Sequence, residues 1–196
     1  DPEMSRGLGD VYKRQVLSDE NGIYPMVSQE GIKIISMNLL LDSEETPVIY
    51  RGPVVASIIK QFYSDVIWGN LDYLLIDMPP GTGDVPLTVY QSIPIDGVVM
   101  VTSPQNLVKM IVMKAVNMAS KMSVPLLGII ENYSYFKCED CDRIYEIFGK
   151  STAEKLAKEL NTTVIARIPI IPEVAQCEDK GIPVTQDIDM DFSNLL

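Results

Sequence analysis

Short apolar segments alternate with longer amphipathic segments along this chain, and this alternation constrains the fold most strongly. Gly97–Thr102 and Val124–Glu131 are short apolar runs typical of strands that are covered on both faces. Between them, apolar residues recur at helical spacing over Pro104–Met122. The pattern predicts an α/β fold with a mostly parallel sheet and helices on both faces. The helix face expected to pack on the sheet consists of Leu107, Ile111, Ala115, Met118 and Met122.

The same alternation continues on both sides of this region. Ser151 and Glu154 have the spacing of a capping box, which predicts that a helix begins there. Pro and Gly predict the limits of further helices, because Pro suits the first helical position and Gly a helix end. The further predicted strands are Ile32–Met37, Leu71–Asp77 and Val164–Ile168, and the further predicted helices are Pro53–Gly69, Val85–Ser92 and Pro172–Gly181.

The domain organisation predicted from this pattern is a single domain over residues 16–196, and the family resemblance given below implies that this domain is partial, without its first strand and phosphate loop. Residues 1–15, DPEMSRGLGDVYKRQ, lack hydrophobic periodicity, and we expect a non-native or disordered leader there. Residues near 133–148 form an insertion that contains a C-x-x-C sequence.

Charge and histidine content exclude several kinds of function. The formal net charge is −11, which argues against a nucleic-acid or anionic-membrane surface. The chain has no histidine, so Ser-His-Asp triads and HExxH zinc sites are excluded. Three cysteines are too few for a disulfide framework, so a reducing cytoplasm is the expected location. No apolar run approaches the roughly 20 residues that span a bilayer.

A loop rich in Pro and Gly follows the predicted strand Leu71–Asp77. In P-loop proteins, an aspartate at the end of a buried strand orients Mg²⁺, and a following glycine lets the backbone approach a terminal phosphate. Asp77 and Gly81 are the candidates for these roles, although Asp77 could simply cap the loop. Arg51 precedes a predicted helix start and suits either a phosphate-sensing loop or a surface position. No GxxxxGK[ST] string, the phosphate-binding loop, occurs in the chain.

Cys138 and Cys141 form the C-x-x-C pair, and several uses of it remain open. A redox dithiol usually lies at a helix N-terminus, and the neighbouring carboxylates here disfavour thiolates. A zinc site within one chain needs four ligands, of which Cys177 could supply a third. Two chains could instead share four thiolates around a [4Fe–4S] cluster or a zinc ion. The pair could also be exposed and without function, and Cys177 suits a small packed side chain on the last helix.

Several ordered motifs together resemble the Mrp/ApbC-type iron–sulfur cluster carriers, which are deviant P-loop ATPases related to MinD and ParA. The resemblance extends from about Asp19 to Gln186. The matching segments are GIK at 31–33, RGP at 51–53, the block from Trp68 to Asp84, VTSPQ at 101–105, the block from Gly128 to Cys141, IFG at 147–149 and IPIIP at 168–172.

The resemblance implies a cytoplasmic, ATP-binding homodimer that holds a [4Fe–4S] cluster and transfers it to apo iron–sulfur proteins. It implies that Cys138 and Cys141 of each chain bind the cluster. It further implies that Asp77 is the Mg²⁺-side acid and catalytic residue, and that Gly81 belongs to a switch loop. The nucleotide-binding residues that it implies are Asn132 at the adenine, Pro169 near the base and Arg51 in the first switch.

Two departures from the family pattern bear on these expectations. The lysine-bearing phosphate loop is absent, so we expect a chain truncated at its N-terminus, with ATP hydrolysis near background. The thiol motif reads Cys-Glu-Asp-Cys-Asp where family members often have CPxCG. The alternative functions are a positioning ATPase of the ParA/MinD class and a zinc-binding interaction module without enzymatic activity.

Overall fold

The computed structural model describes residues 17–28, 30–40, 52–138 and 140–180, which belong to two units. The first unit holds the described residues up to Met78 together with those from Pro172 onward, and the second holds the described residues of Pro79–Ile171. Arg51 and the proposed leader at 1–15 lie outside the described residues.

The first unit contains two antiparallel pairs of short strands and a helix. Strand β1 (Leu17–Asp19) pairs with β2 (Gly22–Tyr24), and β3 (Met26–Val27) pairs with β4 (Lys33–Ile34). A 3-10 turn at Met37–Leu40 follows, and helix α1 spans Gly52–Ser64. Beyond α1, the backbone at residues 65–67 bonds to β2, with Ile23 N donating to Asp65 O at 2.9 Å and Ile67 N donating to Ile23 O at 2.8 Å.

The second unit consists of α2 (Asp84–Ser92), β5 (Val98–Thr102), α3 (Asn106–Lys121), β6 (Leu126–Glu131), β7 (Phe136–Lys137), β8 (Ile144–Tyr145), α4 (Ala153–Leu160) and β9 (Val164–Arg167). Three of its strands form a sheet in the order β5-β6-β9, in which both pairings are parallel. After the central strand β6, the strands β7 and β8 form a small antiparallel hairpin. The chain then continues into the first unit as helix α5 (Pro172–Lys180).

The core of the second unit lies between its sheet and its helices. Helix α3 packs against β5 and β6, and α4 packs against β6 and β9. Ile129 in the central strand is completely buried, and Leu156 in α4 is only 1% exposed. This packing explains why the sequence of β6 reads as a nearly continuous apolar run.

Most of the elements predicted for the second unit are confirmed. The strands expected at Gly97–Thr102, Val124–Glu131 and Val164–Ile168 form as β5, β6 and β9, each within the predicted range. The helices α2 and α3 also lie at the predicted positions. In the first unit, α5 lies at its predicted position, but α1 ends at Ser64 rather than Gly69 and the strand expected at Ile32–Met37 has only two residues.

The predicted buried strand at Leu71–Asp77 is wrong. This segment forms no strand, and its apolar side chains are exposed, with Leu75 at 90% and Tyr73 at 66%. A strand is held by backbone hydrogen bonds to a neighbour, and none of the described residues pairs with this segment. The apolar composition was therefore a poor guide to burial here.

The face of α3 that packs on the sheet also differs from the prediction. Leu107 is 74% exposed and Ile111 is 44% exposed, whereas Val112, Val116 and Ala119 are buried. The buried face is rotated by one residue from the predicted face. Because α3 is apolar around most of its circumference, periodicity alone does not identify the face that packs.

A helix does begin where the spacing of Ser151 and Glu154 predicts it, as α4, but the capping box itself does not form. The N-cap residue is Thr152, whose side chain makes no capping hydrogen bond. Ser151 Oγ accepts a long hydrogen bond of 3.4 Å from Ala153 N, and the Thr152 N–H instead donates to the side chain of Glu131 at 3.2 Å. A buried carboxylate from the sheet thus replaces the local cap that the sequence suggested.

Candidate metal centre

The hairpin β7–β8 carries the two closely spaced cysteines at its turn. Phe136 pairs with Tyr145 and Lys137 with Ile144, so the thiol-bearing turn spans residues 138–143. Cys138 N donates to Arg143 O at 2.9 Å, and Asp142 N donates to Cys138 O at 2.9 Å. Because these bonds join the two sides of the turn, the spacing of the two cysteines is set locally.

The cysteines at this turn are accessible. Cys138 is half-buried and Cys141 is exposed. The pair lies in a hairpin rather than at a helix N-terminus, where redox dithiols are usually placed. This placement and the accessibility of the cysteines suit ligand binding better than redox catalysis.

Charged side chains flank the thiol turn. Lys137 Nζ lies 2.7 Å from Asp142 Oδ1, and this hydrogen bond holds the pKa of Asp142 below its ordinary value and raises the pKa of Lys137. The Arg143 guanidinium lies 5.2 Å from the centre of the Tyr145 ring. Both basic residues therefore adjoin the turn that carries the cysteines.

Few candidate metal ligands lie close together in the described part of the chain. Across the described ranges, no group of three or more Cys, Asp or Glu side chains is placed to hold a metal ion. A closed structural zinc site needs four ligands. Within the described residues, the turn therefore offers the two cysteine side chains of Cys138 and Cys141 as candidate metal ligands. Cys177 is half-buried on α5, in the first unit.

A buried carboxylate lies where the thiol segment begins. Glu131, the last residue of β6, has no exposed surface. Its Oε2 accepts a hydrogen bond of 2.6 Å from Ser134 Oγ, and its Oε1 accepts from Thr152 N. Arg167 Nε lies 3.6 Å from Glu131 Oε2 and donates to Ser134 Oγ at 3.0 Å.

The sequence did not indicate a role for these three side chains. The sequence pattern predicts only that Glu131 ends a strand, and it predicts no role for Ser134 or Arg167. A usable signal existed, because a charged residue directly after a buried apolar run must find partners in the fold.

Asn132 and Pro169 are brought to the same edge of the sheet. Asn132 N donates to Thr102 O at 2.8 Å, which extends the ladder between β5 and β6, and Asn132 Oδ1 accepts from Tyr133 N at 2.9 Å. Pro169 follows the end of β9, between Ile168, which donates to Glu131 O, and Ile170, which donates to Tyr135 O. Ligands of open α/β sheets bind at this carboxyl edge.

The remaining candidate nucleotide residues are more dispersed. Asp77 is exposed in the segment that forms no strand, and it belongs to the first unit. Gly81 belongs to the second unit and has a φ of +95°, a backbone conformation that favours glycine.

Comparison with known proteins identifies the class and then the family. A family model of the ParA type, described as "NUBPL iron-transfer P-loop NTPase", matches residues 2–194. The parallel sheet with its packed helices agrees with the α/β fold of that class. The chain therefore belongs to the iron-transfer P-loop NTPase family of the ParA class.

Individual relatives agree with this assignment. An iron-sulfur cluster carrier protein of Methanocaldococcus jannaschii is 47% identical over 93% of this chain and 63% of its own length. A protein of the same name from Saccharolobus solfataricus is 40% identical over 93% of this chain and 62% of its own length. The chain thus spans less than two thirds of the length of these relatives.

A solved structure supports the fold. It is a nucleotide-binding protein of Archaeoglobus fulgidus in complex with ADP, with cobalt found in it. It superposes with a TM-score of 0.78 at 37% identity, over 93% of this chain and 70% of the other. In the described part of the present chain, no helix has the length and apolar character needed to cross a membrane.

Proposed function

We propose that this chain acts as an iron–sulfur cluster carrier that holds a [4Fe–4S] cluster as cargo between two copies of itself. Cys138 and Cys141 of each copy supply the four thiolates. The observation that carries this proposal is the hairpin turn, which presents two accessible cysteines and offers no third ligand among the described residues. Cysteine thiolates are the usual ligands of iron–sulfur clusters.

The exposure of the turn suits cargo that must be released. A cluster held at an exposed turn can be approached by the thiolates of a recipient, which can replace the carrier's thiolates one at a time. We therefore propose apo iron–sulfur proteins in the cytoplasm as the recipients, and neither nucleic acid nor a membrane as a partner. The names of the relatives, iron-sulfur cluster carrier proteins, support the same reading.

The proposal also includes a nucleotide site at the carboxyl edge of the sheet. Asn132 and Pro169 would contact the base of ATP, because both end neighbouring strands at that edge. Asp77, Gly81 and Arg51 are proposed for the Mg²⁺ and phosphate side. The residues present do not fit a complete ATP–Mg²⁺ site, since the chain contains no GxxxxGK[ST] loop. No hydrolytic step is therefore assigned to this chain.

Anaerobic reconstitution with ferrous iron and sulfide tests the cluster assignment. We expect a brown protein with about four iron atoms per two chains, dimeric in sedimentation while the cluster is bound. The double variant Cys138→Ser, Cys141→Ser should bind no cluster, whereas Cys177→Ser serves as the matched control and should bind it normally.

Two outcomes would overturn the proposal. Colour and iron retained by the double variant would show that other groups bind the cluster. Zinc at one ion per two chains in the isolated protein, with no cluster formed on reconstitution, would instead identify a zinc-linked interaction module.

A further inference from the structure

The segment that carries the thiols leaves the sheet and returns to it at one buried side chain. Residues 132–152 begin after the last residue of β6 and end where α4 starts. The Glu131 carboxylate accepts one hydrogen bond from each end of this segment, from Ser134 Oγ through Oε2 and from Thr152 N through Oε1. Among the described residues, no other side chain is seen to bond to both ends.

Because the Glu131 carboxylate is buried, water cannot replace the hydrogen bonds that it accepts from Ser134 and Thr152. A carboxylate with no exposed surface has lost its water and must be satisfied by protein donors. Ser134 is also completely buried, and its hydroxyl both donates to Glu131 and accepts from Arg167 Nε. The Arg167 side chain, 41% exposed, brings a compensating positive charge to 3.6 Å from Oε2. Movement of either end of the segment would leave a buried polar group without its partner.

The internal geometry of the turn is set separately. The hydrogen bonds of Cys138 N to Arg143 O and of Asp142 N to Cys138 O lie within the hairpin and do not involve Glu131. The relation between the two cysteines and the orientation of the turn on the sheet therefore depend on different hydrogen bonds. The turn itself fixes the relation between the two cysteines, and the base of the segment fixes how the turn is held against the sheet.

We propose that Glu131 is a positioning residue that holds the thiol hairpin in one orientation on the sheet. The inference rests on the proposed function, because orientation matters when the thiolates of two chains must converge on one cluster. It goes further in naming one side chain that holds the hairpin in place, beside the backbone hydrogen bonds of Ser134 N to Ile168 O and of Ile170 N to Tyr135 O, and in stating that this side chain acts on the shared centre, and not on the dithiol within one chain.

Amide hydrogen exchange of the full chain tests the positioning directly and needs no cluster. In Glu131→Gln, we expect amides of 133–150 to exchange about 10- to 100-fold faster relative to β5 and α3, since weakening a charge-assisted hydrogen bond shifts an opening equilibrium by that order. Ser134→Ala, which removes only the hydroxyl, should change the same amides in the same direction and provides a second variant if the first folds poorly. Val89→Ala removes buried methyl groups on α2 and is the control for general destabilisation.

Two thiol probes then separate orientation from local geometry. Phenylarsine oxide bridges the two thiols of one chain with loss of water, and its affinity should stay within about twofold of wild type in Glu131→Gln, because the turn keeps its own hydrogen bonds. The [4Fe–4S] cluster formed on reconstitution should fall several-fold in the same variant and remain near normal in Val89→Ala.

The outcomes distinguish the two proposals. If wild type forms no cluster but the exchange result holds, the proposed function fails while Glu131 still orients the hairpin. If the 133–150 amides keep their wild-type ratio to the core amides in both Glu131→Gln and Ser134→Ala, the positioning role is overturned. An equal loss of arsenical and cluster binding would overturn the separation of orientation from local geometry.

Discussion

Lys137 and Asp142 form an ion pair across the turn that carries the two cysteines, with Nζ and Oδ1 2.7 Å apart. Asp142 has a φ of 55°, in the left-handed region, so it occupies the position where the turn reverses direction. Both side chains are largely exposed, and the hydrogen bond between them is the main cause of the lowered pKa of Asp142 and the raised pKa of Lys137. The pair thus links the strand before the thiols to the residue after them.

Replacing Lys137 with Met should raise the pKa of Asp142 toward its ordinary value, because the donor that stabilises the carboxylate is removed. The depressed pKa of Asp142 means that its contribution to stability is present above the ordinary value of 3.8 and is lost as pH falls through the folded-state value. The raised pKa of Lys137 means that its contribution is present below the ordinary value of 10.5 and is lost as pH rises through the folded-state value. High salt should weaken the effect, since the pair is exposed.

Carboxyl ¹³C NMR titration of wild type and Lys137→Met measures this change. Asp19 is an internal control, because its pKa is lowered mainly by the hydrogen bond from Asn21 N at 2.7 Å and should not respond to the substitution. An Asp142 titration that is identical in the two proteins would show that the ion pair does not form in solution.

The strands and helices of the second unit were predictable from sequence because they bury their apolar surfaces against one another. β5, α3 and β6 follow in order, and each buries apolar surface against the next, so the local pattern predicts these elements and their order, although it does not predict which face of α3 is buried. The thiol pair was also recognisable, because its spacing is local. In contrast, Leu71–Asp77 has the composition of a buried strand but no pairing partner among the described residues.

The base of the thiol segment was not predictable, because it depends on contacts between residues far apart in sequence. Glu131 accepts a hydrogen bond from Thr152, 21 residues later, and Ser134 accepts one from Arg167, 33 residues later. No periodicity or short motif reports such pairs. The one available hint was the placement of a charged residue at the end of a buried strand.

Substituting one buried and one exposed leucine on the helices of the second unit tests which helix faces are buried. Leu156 in α4 is 1% exposed, whereas Leu107 in α3 is 74% exposed. Leu156→Ala should lower the free energy of unfolding by about 2–5 kcal/mol, since it leaves a cavity in the core. Leu107→Ala should change it by no more than about 0.5 kcal/mol. Urea unfolding of the two variants makes the comparison, and a large loss for Leu107→Ala would restore the face predicted from periodicity.

A glycine in the central strand should tolerate no side chain while its neighbour is intact. A Cβ added at Gly128 would lie 2.5 Å from both Cγ1 and Cδ1 of Ile165 and 3.3 Å from Thr163 O. Gly128→Ala should therefore destabilise the fold by about 1–3 kcal/mol through overpacking. Ile165→Ala should lose about 2–5 kcal/mol alone but less in combination with Gly128→Ala, because the new methyl group then enters the vacated space.

Chemical denaturation of the two single variants and the double variant gives this coupling. Ile165→Val is the matched control, because it removes Cδ1 but keeps a carbon at the Cγ1 position, and it should relieve the overpacking only in part. If the losses in the free energy of unfolding were strictly additive, Gly128 and Ile165 would not be in contact as the structure shows.

The exposed apolar segment Leu71–Asp77 should promote self-association of this chain. Leu75 is 90% exposed, and an unpaired apolar segment can pair with the same segment of another molecule. Leu75→Glu should therefore reduce light scattering during incubation at high protein concentration, with the free energy of unfolding changed by no more than about 0.5 kcal/mol. Leu107→Glu carries the same added charge on an exposed helical position, which cannot template a strand, and should reduce scattering much less. An equal reduction in both variants would assign the effect to net charge, and the segment would then have no special part in association.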